Sequence, residues 1–470
     1  MIKDLDLFKE IRLKANSGLY KYRTEKEIDS IYNWAEKEIE KSSTYLDFYN
    51  IICQLTDFEG SLHNDTNIPS KYWKNLKKES YGYFPYPVKW IDDKWRINFK
   101  GGVIPLGAEI ISINETPISE IVKNLYKYYT TDGINTTGKR IGLRIHFSRY
   151  FRWYYGLHKN FEIKYKLPNS NQVNSKIIQS NSYSGYYKNF NKRFSKPYEQ
   201  IDENEKYKYQ QINESTGVLT IYTFLMGNET ADEHKKYSKF LDRIFSDVKT
   251  NNIKNLIVDV RQNGGGTDPN DLITYSYLAQ KSFQENKEAW ISFEKIPFLK
   301  YESSTNLPYL IKLIGVGKYN KEFQKEFPKE INGKFYQDST SNDHKVRTQN
   351  KNTFKGKIYL LISHRVASAG SLFAAMVAGN ENTITIGEET MGGYYGHNGH
   401  TTLTYKLPKS KIEMTFSVVN LEQDVPKKSN QFYNRGIIPD FEVSQNYQDF
   451  IEHKDKQMDY TLDLIKKNEK

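Results

Sequence analysis

The chain holds a single cysteine, Cys53, in 470 residues. One cysteine excludes an internal disulfide and any cysteine-based metal site. Its neighbours in FYNIICQL are apolar, so a buried structural thiol is expected. Long apolar runs are missing as well: no stretch approaches the ~18 residues of a membrane span. The opening MIKDLDLFKE does not resemble a signal peptide. The sequence therefore reads as cytosolic, unless a leader is absent from it. Basic runs are also missing, although 68 Lys and Arg against 57 acidic residues give a net charge of +11. Lysines scattered among Asn and Glu describe a solvated surface and leave no footprint for nucleic acid. Repeats of the solenoid kind are not found.

What is present suits a globular protein of two or three domains with a substantial core. Tyrosine is abundant, at 37 residues, which fits half-buried strands, wet surfaces or the lining of a peptide groove. Residues 1–66 read as a helical segment, in which EKEIDSIYNWAEKEIEK places Ile28, Ile31, Trp34, Ala35 and Ile39 near one face. It ends in a turn-rich loop, DFEGSLHNDT, carrying His63. Residues 67–205 read as β-rich, with PVKWIDDKWRINF forming a hairpin across Asp92 and Asp93. A strand, a turn at Asn114 to Thr116 and a helix follow, and from Pro168 to Tyr209 the chain looks like polar connections and edge structure.

Residues 206–470 change to an α/β pattern. NLIVDV, KIYLLI and TITIG are short apolar runs, expected of strands buried on both faces of a parallel sheet. ADEHKKYSKFLDRIFSDV and SLFAAMVAG supply helices between them. The polar stretch near 282–353 reads as a lid-like insertion.

Two turns of this region bear on chemistry. In VDVRQNGGGTDPND, a buried strand runs into Gly264, Gly265 and Gly266, which let backbone amides approach a ligand oxygen. No Gly-Lys-Ser/Thr follows, so it is not a nucleotide phosphate loop; a plain tight turn fits equally well. In YLLISHRVASAGSLFAAMVAG, Ser368 stands where a strand gives way to a helix. It either caps that helix or is a nucleophile whose oxyanion product meets free amides of the first turn, that of Ala369 among them.

Order decides between these readings. The Asp-x-Arg-x-Asn-x-Gly-Gly turn comes first, Ala-Ser-Ala a hundred residues later, then GEETMGG and finally GIIPD. This series, over about 215–446, resembles the carboxyl-terminal processing, or tail-specific, serine proteases. The resemblance implies an α/β fold: a ClpP/crotonase-like catalytic core, an inserted β-rich PDZ-like domain and an N-terminal helical segment. LGAEIISINETPISEIVKNL looks like the second half of the PDZ-like domain, without an evident carboxylate-binding loop. The resemblance makes Ser368 the nucleophile and places Gly265, Gly266 and Ala369 at the oxyanion hole. It implies a polypeptide substrate, no metal or organic cofactor, and a cell-envelope or secreted location if a leader is missing.

One position departs from the family. The lysine that serves as base in its dyad enzymes falls on Gly393, and Lys406, Lys409 and Lys411 do not match it. A serine needs a partner to take its proton. Other branches of the superfamily pair Ser with His and Glu, and the turn SLHNDT makes His63 the expected base. His397 and His400 are runners-up, and His364 lies on the approach to the serine. Glu422 or Asp424 could orient the histidine, since the tricorn-type glutamate would fall near Tyr433. Activity is then expected to rise through about pH 6 to 7. The alternative is an inactive peptide-binding protein of the same fold.

Overall fold

Strand Asn255–Asp259 is apolar on both faces because it lies in the middle of a sheet. Strands Thr216–Ile221 and Lys357–Ile362 flank it in parallel, Thr383–Gly387 and Phe441–Glu442 extend the same direction, and Tyr207–Gln211 closes the far edge antiparallel. The three apolar runs expected as buried parallel strands are therefore neighbours. Helices Asp232–Thr250 and Ala369–Ala378 share an apolar core with this sheet. Parallel strands need such crossovers, which bring the carboxyl ends of several strands to one edge. The structure is a computed structural model and describes residues 1–196, 204–304, 317 and 320–469.

The other two sheets are antiparallel and belong, with the N-terminal helices, to a second core. One runs through Val88–Ile91, Lys94–Ile97, Glu109–Ile113, Asn160–Lys166 and Val173–Gln179. Its hairpin turns at Asp92 and Asp93, with φ of 50° and 54°, as a tight turn between right-twisted strands requires. Asn114 and Glu115 turn the same way before helix Ile118–Leu125. The remaining sheet centres on Glu413–Gln423, paired with Asp65–Asn67, Asn286–Ile291 and Asn398–Lys406. In it Asp65 pairs with Thr415, so the sheet joins segments far apart along the chain.

Helices Ile2–Ala15, Glu25–Lys41 and Tyr45–Phe58 cover this core. Thr24 with Glu27 and Thr44 with Asp47 form capping boxes that fix two of their starts. The buried face of the second helix carries Ile28, Tyr32, Ala35 and Ile39, while Ile31 and Trp34 are half-buried beside it. Cys53 is buried, and burial pushes its thiol pKa up.

The stretch expected as a lid differs from that reading. Asn286–Ile291 is a sheet strand whose Ala289 and Ile291 are core residues, as are Phe293, Phe323 and Phe327. Alternating apolar positions were hidden there by many lysines and glutamates. Positions 305–316 and 318–319 of that stretch, and 197–203 of the polar connection, lie outside the described residues.

Candidate active site

Ser368 leaves the carboxyl end of Lys357–Ile362 through the turn at 363–367 and is the residue before helix Ala369–Ala378. Its backbone sits at φ 52°, ψ −135°. A side chain in that region costs about 1–3 kcal/mol and persists only where its surroundings enforce it. Here the helix enforces it: every one of its residues is buried, and the amides of Ser371 and Leu372 donate to the Ser368 carbonyl at 2.8 and 3.0 Å. The hydroxyl makes no capping bond. It faces His63 instead, 3.2 Å from Nε2.

The glycine turn packs directly on this serine. A Cβ placed on Gly265 would lie 2.8 Å from Ser368 Cβ and 3.1 Å from the Ala369 nitrogen, and φ there is +106°. Only glycine fits. Asn263 stitches the two turns together, since its carbonyl accepts from the Ala367 amide and its Oδ1 from the Gly265 amide at 2.9 Å. The Gly265 amide, expected to face an oxyanion, is thus already engaged. Phe224 and Thr267 pair around Gly266 as a parallel bridge that leaves the Gly266 amide out. Among the described residues neither that amide nor the Ala369 amide has an acceptor.

His63 arrives from the other core. Its turn lies between helix Tyr45–Phe58 and strand Asp65–Asn67, and it is held by groups from elsewhere. Asp132 accepts from the Leu62 amide at 2.9 Å, and Asn64 donates to the Thr56 carbonyl and to Glu59. Glu59 in turn is buried against Arg12, at 2.7 Å, and accepts from Asn16. The His63 Nδ1 is 2.7 Å from the Asn398 carbonyl. A carbonyl only accepts, so Nδ1 carries the proton and Nε2 is left to accept from the serine hydroxyl. Burial holds the His63 pKa below the ordinary histidine value, with the Asn398 carbonyl pulling weakly the other way.

The other candidates make other contacts. His397 packs beside His63, ring centres 5.0 Å apart, and burial holds its pKa well down. His400 bonds Glu326 at 3.0 Å, and His364 pairs with Glu388 at 3.2 Å. Glu422 pairs with Lys287 at 2.8 Å and Asp424 is exposed, so the group that orients His63 is a main-chain carbonyl. Main-chain groups leave no mark in a sequence, which is why Asn398 was missed. Asp132 could have been noticed only as an acid in the turn TTDGIN.

The family model for peptidase family S41 matches residues 215–443. These residues belong to the S41 peptidases. Similar solved structures include a point mutant of CPAF (12% identity, 99% of this chain and 96% of that chain, TM-score 0.64). Mature CPAF complexed with lactacystin is similar at 12% identity, covering 99% and 97%, with a TM-score of 0.59. At such identities the likeness is one of fold. Among curated proteins none matches the sequence.

The S41 domain carries no lysine where the dyad enzymes are expected to have one, and the structure gives the reason. The Gly393 amide donates to Asp132 at 2.9 Å, and a Cβ there would stand 2.9 Å from the Gly396 carbonyl oxygen. Lys406 pairs with Glu413 instead, at 2.7 Å. Asp132 therefore ties the Gly393 turn to the His63 turn. Burial raises its pKa to about 7, against the pull of the two amides and of Lys21. A cavity of about 460 Å³ opens beside His63, between Met391, Tyr128, Trp73, Trp153 and Arg149. The Arg149 guanidinium lies 5.0–5.5 Å from the ring centres of Trp153, Tyr150 and Trp73.

Proposed function

We propose that this protein is a serine endopeptidase with Ser368 as nucleophile and His63 as general base. The observation that carries this is the hydroxyl of a backbone-strained serine placed 3.2 Å from a histidine nitrogen that has no proton of its own. Ser368 attacks the peptide carbonyl while Nε2 takes its proton, and Nδ1–H remains bonded to the Asn398 carbonyl. The tetrahedral oxyanion is met by the amides of Gly266 and Ala369, with Gly265 serving through its conformation rather than its own N–H. The imidazolium then protonates the departing amine, and water repeats the sequence on the acyl-enzyme. Nothing in this route needs a metal or organic cofactor.

The cavity beside His63 suits a substrate side chain, its aromatic walls taking an apolar stem and Arg149 an acceptor or negative group. An inactive peptide-binding protein is the weaker reading, because a groove alone gives no reason to strain Ser368 and withhold it from the helix cap. A fluorophosphonate probe tests the two. Labelling of the wild type that vanishes in Ser368→Ala supports the peptidase; an unlabelled wild type speaks for the binding protein.

A further inference from the structure

Next to the glycine turn, away from the Ser–His pair, three carboxylates converge. Ligand oxygens of Asp268, Asp271 and Glu285 all lie within 4.8 Å of one another. Asp268 follows Gly266 by two residues and is exposed; Asp271 stands in helix Asn270–Ser276; Glu285 precedes strand Asn286–Ile291. Asp271 is fully buried; the amides of Asp271 itself and of Leu272 lie near its carboxylate, but neither oxygen makes a hydrogen bond of good geometry and no side chain donates to it. Glu285 is only 3% exposed. None of the three makes an ion pair among the described residues. Arg347, which faces Asp268 and Glu285, donates to the carbonyls of Asn342 and Lys345. The adjoining cluster is different, because His400 balances Glu326 and Asp343, and Gln337 donates to both.

Buried carboxylates stay charged only when paired or bound to a metal. We propose that Asp268, Asp271 and Glu285 form a binding site for a hard divalent cation, and that the ion is calcium. The donor set is all oxygen, which excludes preference for softer ions. Calcium takes oxygens at about 2.3–2.6 Å in loose geometry, so one ion spans a set of this width, and exposed Asp268 leaves room for water ligands. Magnesium demands a tighter octahedron. The bound ion ties the end of the glycine turn to a helix and to the antiparallel sheet, and so fixes the backbone that presents Gly266.

The test uses the full chain, stripped with a chelator and titrated with Ca²⁺ or Mg²⁺, read by calorimetric binding and by melting midpoint. Calcium should bind one ion per chain and raise the midpoint, with magnesium weaker. Asp268→Asn, a surface change, should weaken calcium binding about tenfold or more. Asp271→Asn should remove the response, and its metal-free midpoint should equal or exceed the wild type's, because a like charge has gone. A wild type indifferent to calcium in both measurements, or an Asp268→Asn protein that responds like the wild type, overturns the site. Neither readout depends on catalysis, so that outcome would leave the peptidase reading where it stands.

Discussion

The two turns that meet at the candidate active site are built in opposite ways. The serine turn is a steric device made by its own chain neighbours: an apolar helix buried along its whole length, a glycine with no space for a carbon, and an asparagine joining them. The histidine turn is a polar network whose members come from the first helix, the loop at Asp132 and the strand at Asn398. A steric device fails when an atom is added, and a polar network when a partner is lost. The serine side is therefore intolerant of bulk, and the histidine side of altered charge.

The largest effect expected is from His63→Ala. It should lower turnover by about 10⁴- to 10⁶-fold while leaving the fold and peptide binding nearly intact, since only the proton acceptor goes. His397→Ala and His400→Ala should cost far less. Near-normal turnover in the His63 variant would place the base elsewhere.

Gly265→Ala sharpens the steric half of the comparison. The added carbon meets Ser368 Cβ at 2.8 Å in a left-handed backbone, so kcat should fall by about 10²-fold or more as the proposed nucleophile, Ser368, is displaced. Unchanged kcat would show that the two turns are not in register.

Glu59→Ala examines the polar half. It strands the Arg12 charge in the core, where its side chain has no exposure, and should destabilise the protein by about 3–5 kcal/mol in denaturant unfolding. Glu59→Ala at wild-type stability would mean that the His63 turn is held without this network.

The smallest effect is on pH dependence. Burial depresses the His63 pKa in the folded state, so the unfolded chain binds more protons as pH falls below about 6.5. This contribution to stability is present above that pH and is lost on acidification. The wild type should therefore lose stability relative to His63→Gln as pH falls below about 6.5, and its activity limb should lie below the pH 6 to 7 expected of an unperturbed histidine. A limb at lysine-like pH would contradict the assignment.

Much of the site was readable because its sources are local. The strands around Asn255–Asp259, the glycine run and the small residues about Ser368 are each a contiguous signal of burial or close approach, and their order along the chain carried the family resemblance. Where a reading failed, the cause was non-local. Glu422 and Asp424 are acids in the expected neighbourhood, yet a main-chain carbonyl occupies the orienting position. The supposed lid is polar in composition, yet its alternate residues join a sheet with a strand more than a hundred positions away.

The sequence by itself determined the α/β pattern, the serine, the glycines packed on it and the absence of the dyad lysine, since short-range sterics and burial write these into adjacent residues. Only the tertiary structure decided that His63 reaches Ser368, that Asn398 orients it, that Asp132 occupies the ground near the missing lysine, and that the Gly265 amide is taken. Those are contacts between groups up to 335 residues apart, many of them main-chain, and they exist only once both cores have packed.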